Sequence, residues 1–149
     1  MRVLCLALLS AASVSAQVAD TADLEARYIR MLANWSGNRE DAVRGWRQRL
    51  GAYTELAPLL LISRRANVAP AALIRQRDRG MTWGDIARDR KIRTMGTDFI
   101  DESNPFVLAQ HYRRPLEEVR GMRRPEISFL LLNQELQRQA GGEQKGAKR

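Results

Sequence analysis

The chain has very little of the chemistry that most enzymes use. It contains one cysteine, Cys5, and one histidine, His111, among 149 residues. This scarcity excludes most metal sites, and it leaves His111 as the only histidine that a catalytic triad could use. The sequence also has no glycine-rich loop of the kind that holds phosphate groups. We therefore expect a protein without enzymatic activity and without a metal or other cofactor.

Lysine is also scarce, so arginine carries nearly all of the positive charge. The lysines are Lys91, Lys145 and Lys148, and the 25 basic residues outnumber 17 acidic ones, giving a formal net charge of +8. Arginine suits bidentate contacts with anions, but an arginine bias also arises from genome base composition. If the bias is functional, it predicts an anionic lipid, an envelope polysaccharide or a nucleic acid as partner.

No stretch of the sequence has the length of about 20 apolar residues that a membrane-spanning helix needs. The apolar stretch from Val3 to Val14 is shorter, follows a positive start and leads to small residues. This pattern is typical of a cleavable signal peptide, residues 1–16, cut between Ala16 and Gln17. We expect an exported protein, periplasmic or extracellular, that loses Cys5 with the signal. The alternative is an N-terminal helix of a cytosolic protein.

The remaining residues have the apolar spacing of helices and predict an all-α fold with one domain, residues 17–138. The domain is predicted to begin with an amphipathic helical hairpin, residues 17–56. Two units follow, residues 57–92 and 104–138, each with a leucine-rich helix, a proline-opened helix and a third helix. Their likeness indicates a degenerate duplication, with chance as the alternative. The charged, glycine-rich residues 139–149 predict a disordered tail.

Capping residues and prolines predict where the helices begin. Asp20 or Thr21 is expected to cap the first helix, and Asn38 the second. Prolines are expected to open both leucine-rich helices and the last helix: Pro58, Pro105 and Pro125. In the hairpin, Trp35 and Trp46 lie at the spacing of a buried face, so we interpret both as core residues rather than as ligand contacts.

The first unit contains the best-defined local motif. A proline opens a helix, a glycine suited to the left-handed conformation ends it, and a threonine three residues before an aspartate forms a capping box for the next helix. That helix carries a tryptophan and an isoleucine on one face, which predicts that both are buried. The residues of this motif are Pro70, Gly80, Thr82, Trp83, Asp85 and Ile86.

The segment Gly80-Met81-Thr82-Trp83-Gly84-Asp85-Ile86-Ala87 resembles the middle of a DNA-binding helix-turn-helix. The resemblance covers residues 70–92 and implies contacts with DNA. A DNA reader also needs an exposed recognition helix after the turn, and none is evident in the sequence. Basic residues near the motif are candidates for binding phosphate or another anion: Arg88, Arg90, Lys91 and Arg93.

The same segment also resembles a motif of uncharacterised secreted bacterial proteins, in which a leucine-rich helix precedes Gly-x-Thr-Trp-Gly-x-Ile-Ala. This resemblance covers Ala57 to Ile92. It implies a helical envelope protein and no particular activity. The second unit departs from the motif, because it has Pro125 in place of the glycine and Ser128 or Phe129 in place of the tryptophan.

The sequence is compatible with three functions. We favour a noncatalytic exported protein that acts as a binding or scaffold module of the bacterial cell envelope, with an unknown protein partner or an anionic envelope component. The alternative is a helix-turn-helix-like nucleic-acid-binding protein whose signal-like start has another role. A hydrolase that uses carboxylates alone is third. Its candidates are Asp98, Asp101 and Glu102, for which helix capping is the simpler explanation.

Overall fold

The computed structural model describes residues 7–94, 96, 98–125 and 127–146, with side chains between residues 20 and 142. Within these residues the chain forms eight α-helices, one short 3-10 helix and no strand, which confirms the predicted all-α fold. The helices are α1 (Ala7–Ser36), α2 (Glu40–Leu50), the 3-10 helix (Tyr53–Glu55), α3 (Leu56–Ala66), α4 (Pro70–Asp78), α5 (Trp83–Asp89), α6 (Phe99–Tyr112), α7 (Leu116–Met122) and α8 (Phe129–Gly146).

Helices α3 and α6 lie at the centre and pack against each other. On one side, α1 and α8 complete a core cluster that contains Tyr28, Leu60, Leu108 and Leu132. On the other side, α4 and α5 complete a second cluster with the central helices. Large members of this second cluster are Ile62, Leu73, Trp83, Ile86 and Phe99. The fold is therefore an array in which two central helices contribute to both halves of the core.

Helix α3 is buried on most sides, as its leucine-rich sequence predicts. Every residue from 56 to 62 is buried. Leu60 packs into the first core cluster, whereas Leu59 and Ile62 pack into the second. Each fully buried leucine or isoleucine contributes about 1.5–3 kcal/mol relative to exposure. The density of apolar residues in this helix is thus explained by its position between the two clusters.

Three helix-to-helix junctions share one geometry. In each, the residue after the helix has a positive φ, and the next helix begins three residues later. The residues with positive φ at these junctions are Gly37, Asn67 and Arg113. The following N–H donates to a carbonyl five residues earlier. These bonds run from Asn38 to Ala33 (3.1 Å), from Val68 to Ser63 (3.1 Å) and from Arg114 to Ala109 (2.9 Å). This Schellman geometry turns α1 into α2, α3 into α4 and α6 into α7.

The two predicted units cover α3–α5 and most of α6–α8, so each contains three helices. The duplication itself stays a prediction. The boundaries inside the second unit differ from the prediction. Pro105 lies inside α6, which begins six residues earlier, at Phe99. Asp98 caps this helix, because its side chain accepts a hydrogen bond from the N–H of Ile100 at 2.8 Å. Likewise, Pro125 lies in a turn, and α8 begins at Phe129.

The predicted caps of the first two helices are also wrong. Helix α1 continues through Asp20 and Thr21, since its backbone is helical from Ala7. Arg39, rather than Asn38, is the N-cap residue of α2, because Asn38 is used in the turn that ends α1. In α1 the helix already runs through the predicted cap, and at α2 the predicted cap residue belongs to the turn before the helix.

The structure contradicts the prediction for the C-terminal end of the chain and leaves the prediction for the N-terminal end open. Disorder was expected from residue 139, whereas the backbone of α8 is helical to Gly146. Glutamate, glutamine and alanine in this segment are good helix formers and extend a helix already anchored by packing. Residues 147–149 lie outside the described residues. Residues 1–6 of the predicted signal peptide also lie outside them, and Ala16 and Gln17 belong to the helical backbone of α1. Cleavage between them stays a prediction.

Two glycines allow the effect of backbone conformation on stability to be measured apart from the effect of packing. Gly80 has φ +88°, and no atom lies within 4 Å of a Cβ added to it. The same space is open at Gly45, which lies in the middle of α2. We expect Gly80→Ala to lower the free energy of unfolding by about 1 kcal/mol, since L-residues disfavour the left-handed region. Gly45→Ala should raise it by about 0.5–1 kcal/mol. Urea denaturation measures both, and equal effects of the two changes would contradict the assignment.

Candidate anion-binding site

The predicted capping box is present at the start of α5. The Thr82 hydroxyl accepts a hydrogen bond from the Asp85 N–H at 3.1 Å, and the Asp85 carboxylate accepts one from the Thr82 N–H at 3.3 Å. The Thr82 hydroxyl also donates to that carboxylate at 2.6 Å, and this bond is the largest of the causes that lower the pKa of Asp85. Gly80 just before it has the expected left-handed backbone. The local motif is therefore confirmed.

Trp83 and Ile86 are buried as predicted, with 3% and 0% of their surface exposed. The indole N–H of Trp83 donates to the Glu55 carboxylate at 3.0 Å. Arg77 donates to both oxygens of the same carboxylate, at 3.1 and 3.0 Å, and to the Met81 carbonyl at 2.7 Å. This cluster ties α4, α5 and the 3-10 helix together. The tryptophan of the motif thus serves packing, and its polar atom already has a partner.

The geometry after α5 differs from that of a DNA reader. The described residues between α5 and α6, namely 90–94, 96 and 98, form no helix. The next helix, α6, is central, and half of its residues are buried. In the part of the chain that the structure describes, no exposed recognition helix follows the motif. The resemblance to a helix-turn-helix therefore covers the turn and the first helix, but not the element that contacts base edges.

The four predicted anion-binding residues do not form one site. Arg88 pairs with Asp85 in the first turn of its own helix. Arg90 and Lys91 are exposed at the end of α5, where Lys91 has a φ of +57°. Arg93 lies beyond this turn and lines a cavity of about 240 Å³. Of the predicted set, only Arg93 therefore belongs to a concave site.

We call this concavity the α6 cavity and define it by its basic rim, Arg65, Arg93 and Arg120, and its one acidic residue, Glu102. Arg65 comes from the end of α3, Arg93 from the connection before α6, and Arg120 from α7. Glu102 already accepts a hydrogen bond from the N–H of Gly96. Three arginines against one carboxylate leave the rim positively charged.

The walls of the α6 cavity are mostly apolar, with Ser103 as the one uncharged polar residue in its lining. Leu61 lies four residues before Arg65 on α3, and Leu116 lies four residues before Arg120 on α7. A spacing of four residues places two side chains on the same face of a helix. Phe99 and Phe106 add two rings from the face of α6 between them. The site therefore combines an apolar interior with positively charged groups at its edge.

The three arginines differ in how they are held. The Arg65 guanidinium lies 4.8 Å from the centre of the Phe106 ring. Arg120 donates to Glu117 at 2.9 Å, but the Glu117 side chain is 82% exposed, so solvent screens this pair. Arg93 is exposed and forms no ion pair with any described residue. Arg93 and Arg120 are thus available to a bound anion at little cost.

Sequence reasoning identified Arg93 but missed Arg65 and Arg120. The available signal was a leucine followed four residues later by an arginine near the end of a helix, at residues 61–65 and 116–120. That pattern is common on amphipathic helices, so it does not single out a site before the helices are placed. The packing of α3, α6 and α7 is what brings these arginines to one rim.

Two other cavities differ from the α6 cavity in the residues that line them. One, of about 350 Å³, shares Arg120 with the α6 cavity and includes Arg123 and Arg124. Arg123 is engaged, because it donates to the Arg124 carbonyl at 2.8 Å and lies 4.5 Å from the centre of the Phe129 ring. A larger groove of about 760 Å³ beside α8 is lined by apolar residues such as Leu131 and by the ends of paired charges. The groove lacks the arginine rim of the α6 cavity.

Of the residues considered for catalysis, only Glu102 lines the α6 cavity. His111 is half-buried with its ring edge-to-face against Tyr112, and burial lowers the pKa of its imidazole. Asp98 caps α6. Asp101 and Glu102 occupy the first turn of that helix, where their negative charges interact favourably with the positive end of the helix dipole. Among the described residues, no three metal-ligating side chains form a group. Helix capping therefore accounts for the acidic cluster.

Comparison with known proteins gives no relative from which a function could be transferred. No family model matches the chain, and neither the curated proteins nor the solved structures contain a match. The described helices include none that combines the length and the apolar character needed to cross a bilayer. The function proposed below rests on the chain's own residues.

Proposed function

We propose that the protein is a noncatalytic, exported binding module whose partner is an anionic component of the bacterial cell envelope. The observation that carries the proposal is the arginine rim of the α6 cavity, where residues from three separate segments meet. Export is inferred from the signal-like pattern of residues 1–16.

Buried polar side chains such as Asn104 form hydrogen bonds within the fold, whereas the arginines of the rim remain available to a ligand, and this difference supports a binding role. Trp83 and Glu55 are committed to the cluster that holds α4 and α5, and Tyr28 and Asn104 are committed to a hydrogen bond inside the core. These groups stabilise the fold and line none of the three cavities described above. The arginines of the rim, in contrast, are exposed or paired only with exposed acids, so an anion approaching this face meets little competition.

Export is tested by fractionating cells that make the chain with a C-terminal tag. The expected product lies outside the cytoplasm and begins at Gln17. An unprocessed product confined to the cytosol would overturn this half of the proposal.

Anion binding is tested with lipid vesicles that contain about 30% anionic lipid, at about 0.1 M and about 1 M salt. The Debye length falls from about 10 Å to about 3 Å between these concentrations, so binding should weaken strongly. Each arginine near an anionic surface contributes about 1 kcal/mol. Arg65→Gln combined with Arg93→Gln should therefore weaken binding about 30-fold.

The matched control is Arg75→Gln combined with Arg90→Gln, which removes the same charge from exposed positions outside the three cavities. It should weaken vesicle binding only a few-fold. Equal losses in both double variants would mean that net charge, rather than this rim, attracts the anion. Binding unaffected by salt, or no binding to vesicles and envelope polysaccharide alike, would overturn the proposed function.

A further inference from the structure

The α6 cavity has the two-part character of a site for an amphiphile. Its walls carry two phenylalanines and two leucines, and its rim carries arginines from α3, α7 and the connection before α6. A site for a simple inorganic anion has no use for an apolar interior, and a site for an apolar ligand has no use for three arginines. Ligand sites commonly combine apolar walls with a few placed polar groups that orient the ligand.

The size of the cavity restricts the ligand. Its volume is about 240 Å³, below the range of about 300–1,000 Å³ typical of sites for drug-sized molecules. The apolar part of the ligand must therefore be short. A long acyl chain would leave most of its length in water.

The rim favours a carboxylate as the charged group. A guanidinium presents its N–H donors in a planar fork that matches the two oxygens of a carboxylate. Arg93 is exposed and has no ion pair among the described residues, and Arg120 has only the exposed Glu117 as partner. Both can therefore turn toward a ligand without leaving a buried charge unpaired. Glu102 at the same rim repels a second negative charge, which favours a ligand with one.

We infer that the α6 cavity binds a compact amphiphilic carboxylate, with its short apolar body between Leu116 and Phe106 and its carboxylate on Arg93 and Arg120. This inference rests on the proposed function and specifies the class of anion. Such a ligand is either a free small acid or the exposed end of an acidic lipid, since both present the same chemistry to the site.

Calorimetric titration of the full chain with three probes tests the inference. Hexanoate has both parts of the ligand, acetate has only the carboxylate, and hexylammonium has an apolar chain of similar length with the opposite charge. Four additional methylene groups contribute about 0.8 kcal/mol each when buried, so hexanoate should bind about 200-fold more tightly than acetate. Hexylammonium should give no measurable binding. Equal binding of hexanoate and acetate, or binding of hexylammonium, would overturn the inference.

Two arginine variants locate the site. Arg93→Gln should weaken hexanoate binding about tenfold, because it removes a charge-assisted hydrogen bond. Arg90→Gln removes the same charge from an exposed position outside the cavity and should change binding less than twofold. Both positions are exposed, so both variants should unfold at the temperature of the unmodified chain. Amide resonances that shift with hexanoate should belong to α3, α6 and α7. Equal losses in the two variants, or shifts confined to other helices, would overturn the inference.

Competition between hexanoate and anionic vesicles distinguishes the two sources of ligand. Displacement of the protein from vesicles by hexanoate would show that the cavity holds the end of a lipid, and binding of both together would assign a free acid to the cavity. Vesicle binding without any hexanoate binding would contradict the inference but remain consistent with the proposed function. Hexanoate binding by a protein that stays in the cytosol and does not bind vesicles would contradict the proposed function alone.

Discussion

Replacing Trp83 with alanine should lower the free energy of unfolding by about 3–5 kcal/mol, the range for removing a large aromatic side chain from a packed core. Its side chain is 3% exposed and contributes to the core cluster formed by α3, α4, α5 and the start of α6. The Arg77 guanidinium lies 5.3 Å from the centre of its ring. Removing the ring therefore leaves a cavity and also exposes the Glu55–Arg77 pair.

Trp83→Phe is the matched control for this change, since it keeps an aromatic ring but removes the N–H that donates to Glu55. Glu55 retains both hydrogen bonds from Arg77, so its carboxylate stays satisfied. The expected loss is about 1–2 kcal/mol. Urea denaturation followed by far-UV circular dichroism measures both variants. A loss below about 1 kcal/mol for Trp83→Ala would contradict the burial of this side chain and the packing role assigned to the motif.

Asn104→Ala should have the second largest effect, a loss of roughly 2–4 kcal/mol. The Asn104 side chain is fully buried and accepts a hydrogen bond from the hydroxyl of Tyr28. It donates to the Thr54 carbonyl at 2.9 Å and to the Ile100 carbonyl at 2.8 Å. Alanine leaves the Tyr28 hydroxyl and the Thr54 carbonyl without these partners, and each buried polar group left unsatisfied costs about 1–3 kcal/mol.

The Tyr28–Asn104 bond can be separated from the rest of this network. Tyr28→Phe should cost about 1–2 kcal/mol, because it leaves one lone pair of the Asn104 amide oxygen unused. The double variant should cost less than the sum of the two single changes, since both remove the same bond. Asn34→Ala, at an exposed position of α1, serves as control and should be neutral or slightly stabilising. Additive effects at Tyr28 and Asn104 would contradict the bond.

The same hydrogen bond explains why burial of Tyr28 does not weaken the core. Burial raises the pKa of the Tyr28 hydroxyl well above its usual value, so the group stays neutral and acts as a donor over the whole physiological range. A neutral donor facing an amide oxygen costs little to bury, unlike an unpaired polar group. The network thus fixes α1 against α6 at one register without placing a charge in the interior.

Local sequence determined the features that depend on neighbours along the chain. The capping box of Thr82 and Asp85 and the left-handed Gly80 were predicted correctly because their partners lie within a few residues. The burial of Trp83 and Ile86 followed from their spacing on one helical face. The all-α class itself followed from the same spacing repeated along the chain.

Helix boundaries near proline were harder to predict. The sequence predicts that Pro105 opens a helix, because proline is favourable in the first turn. Asp98, however, begins α6 earlier, and α6 continues through the proline because the Phe99 side chain is buried in the core cluster shared with α3, α4 and α5. Tertiary burial of a large side chain outweighs the local cost of a proline inside the helix. The capping preference of Asp98 indicated a helix start nearby, but only the burial of Phe99 shows that one helix continues through Pro105.

The candidate site was decided by the tertiary structure. The sequence placed a basic cluster at residues 88–93, but α5 holds Arg88 against Asp85, and only Arg93 reaches the α6 cavity. Arg65 and Arg120 are separated by 55 positions in the numbering, and only the packing of α3 and α7 on either side of α6 brings them to one rim. The sequence by itself determined the helical class, the capping box of α5 and an excess of arginine, because these depend on short-range interactions. The position of the charge depended on contacts between distant segments, which only the folded chain specifies.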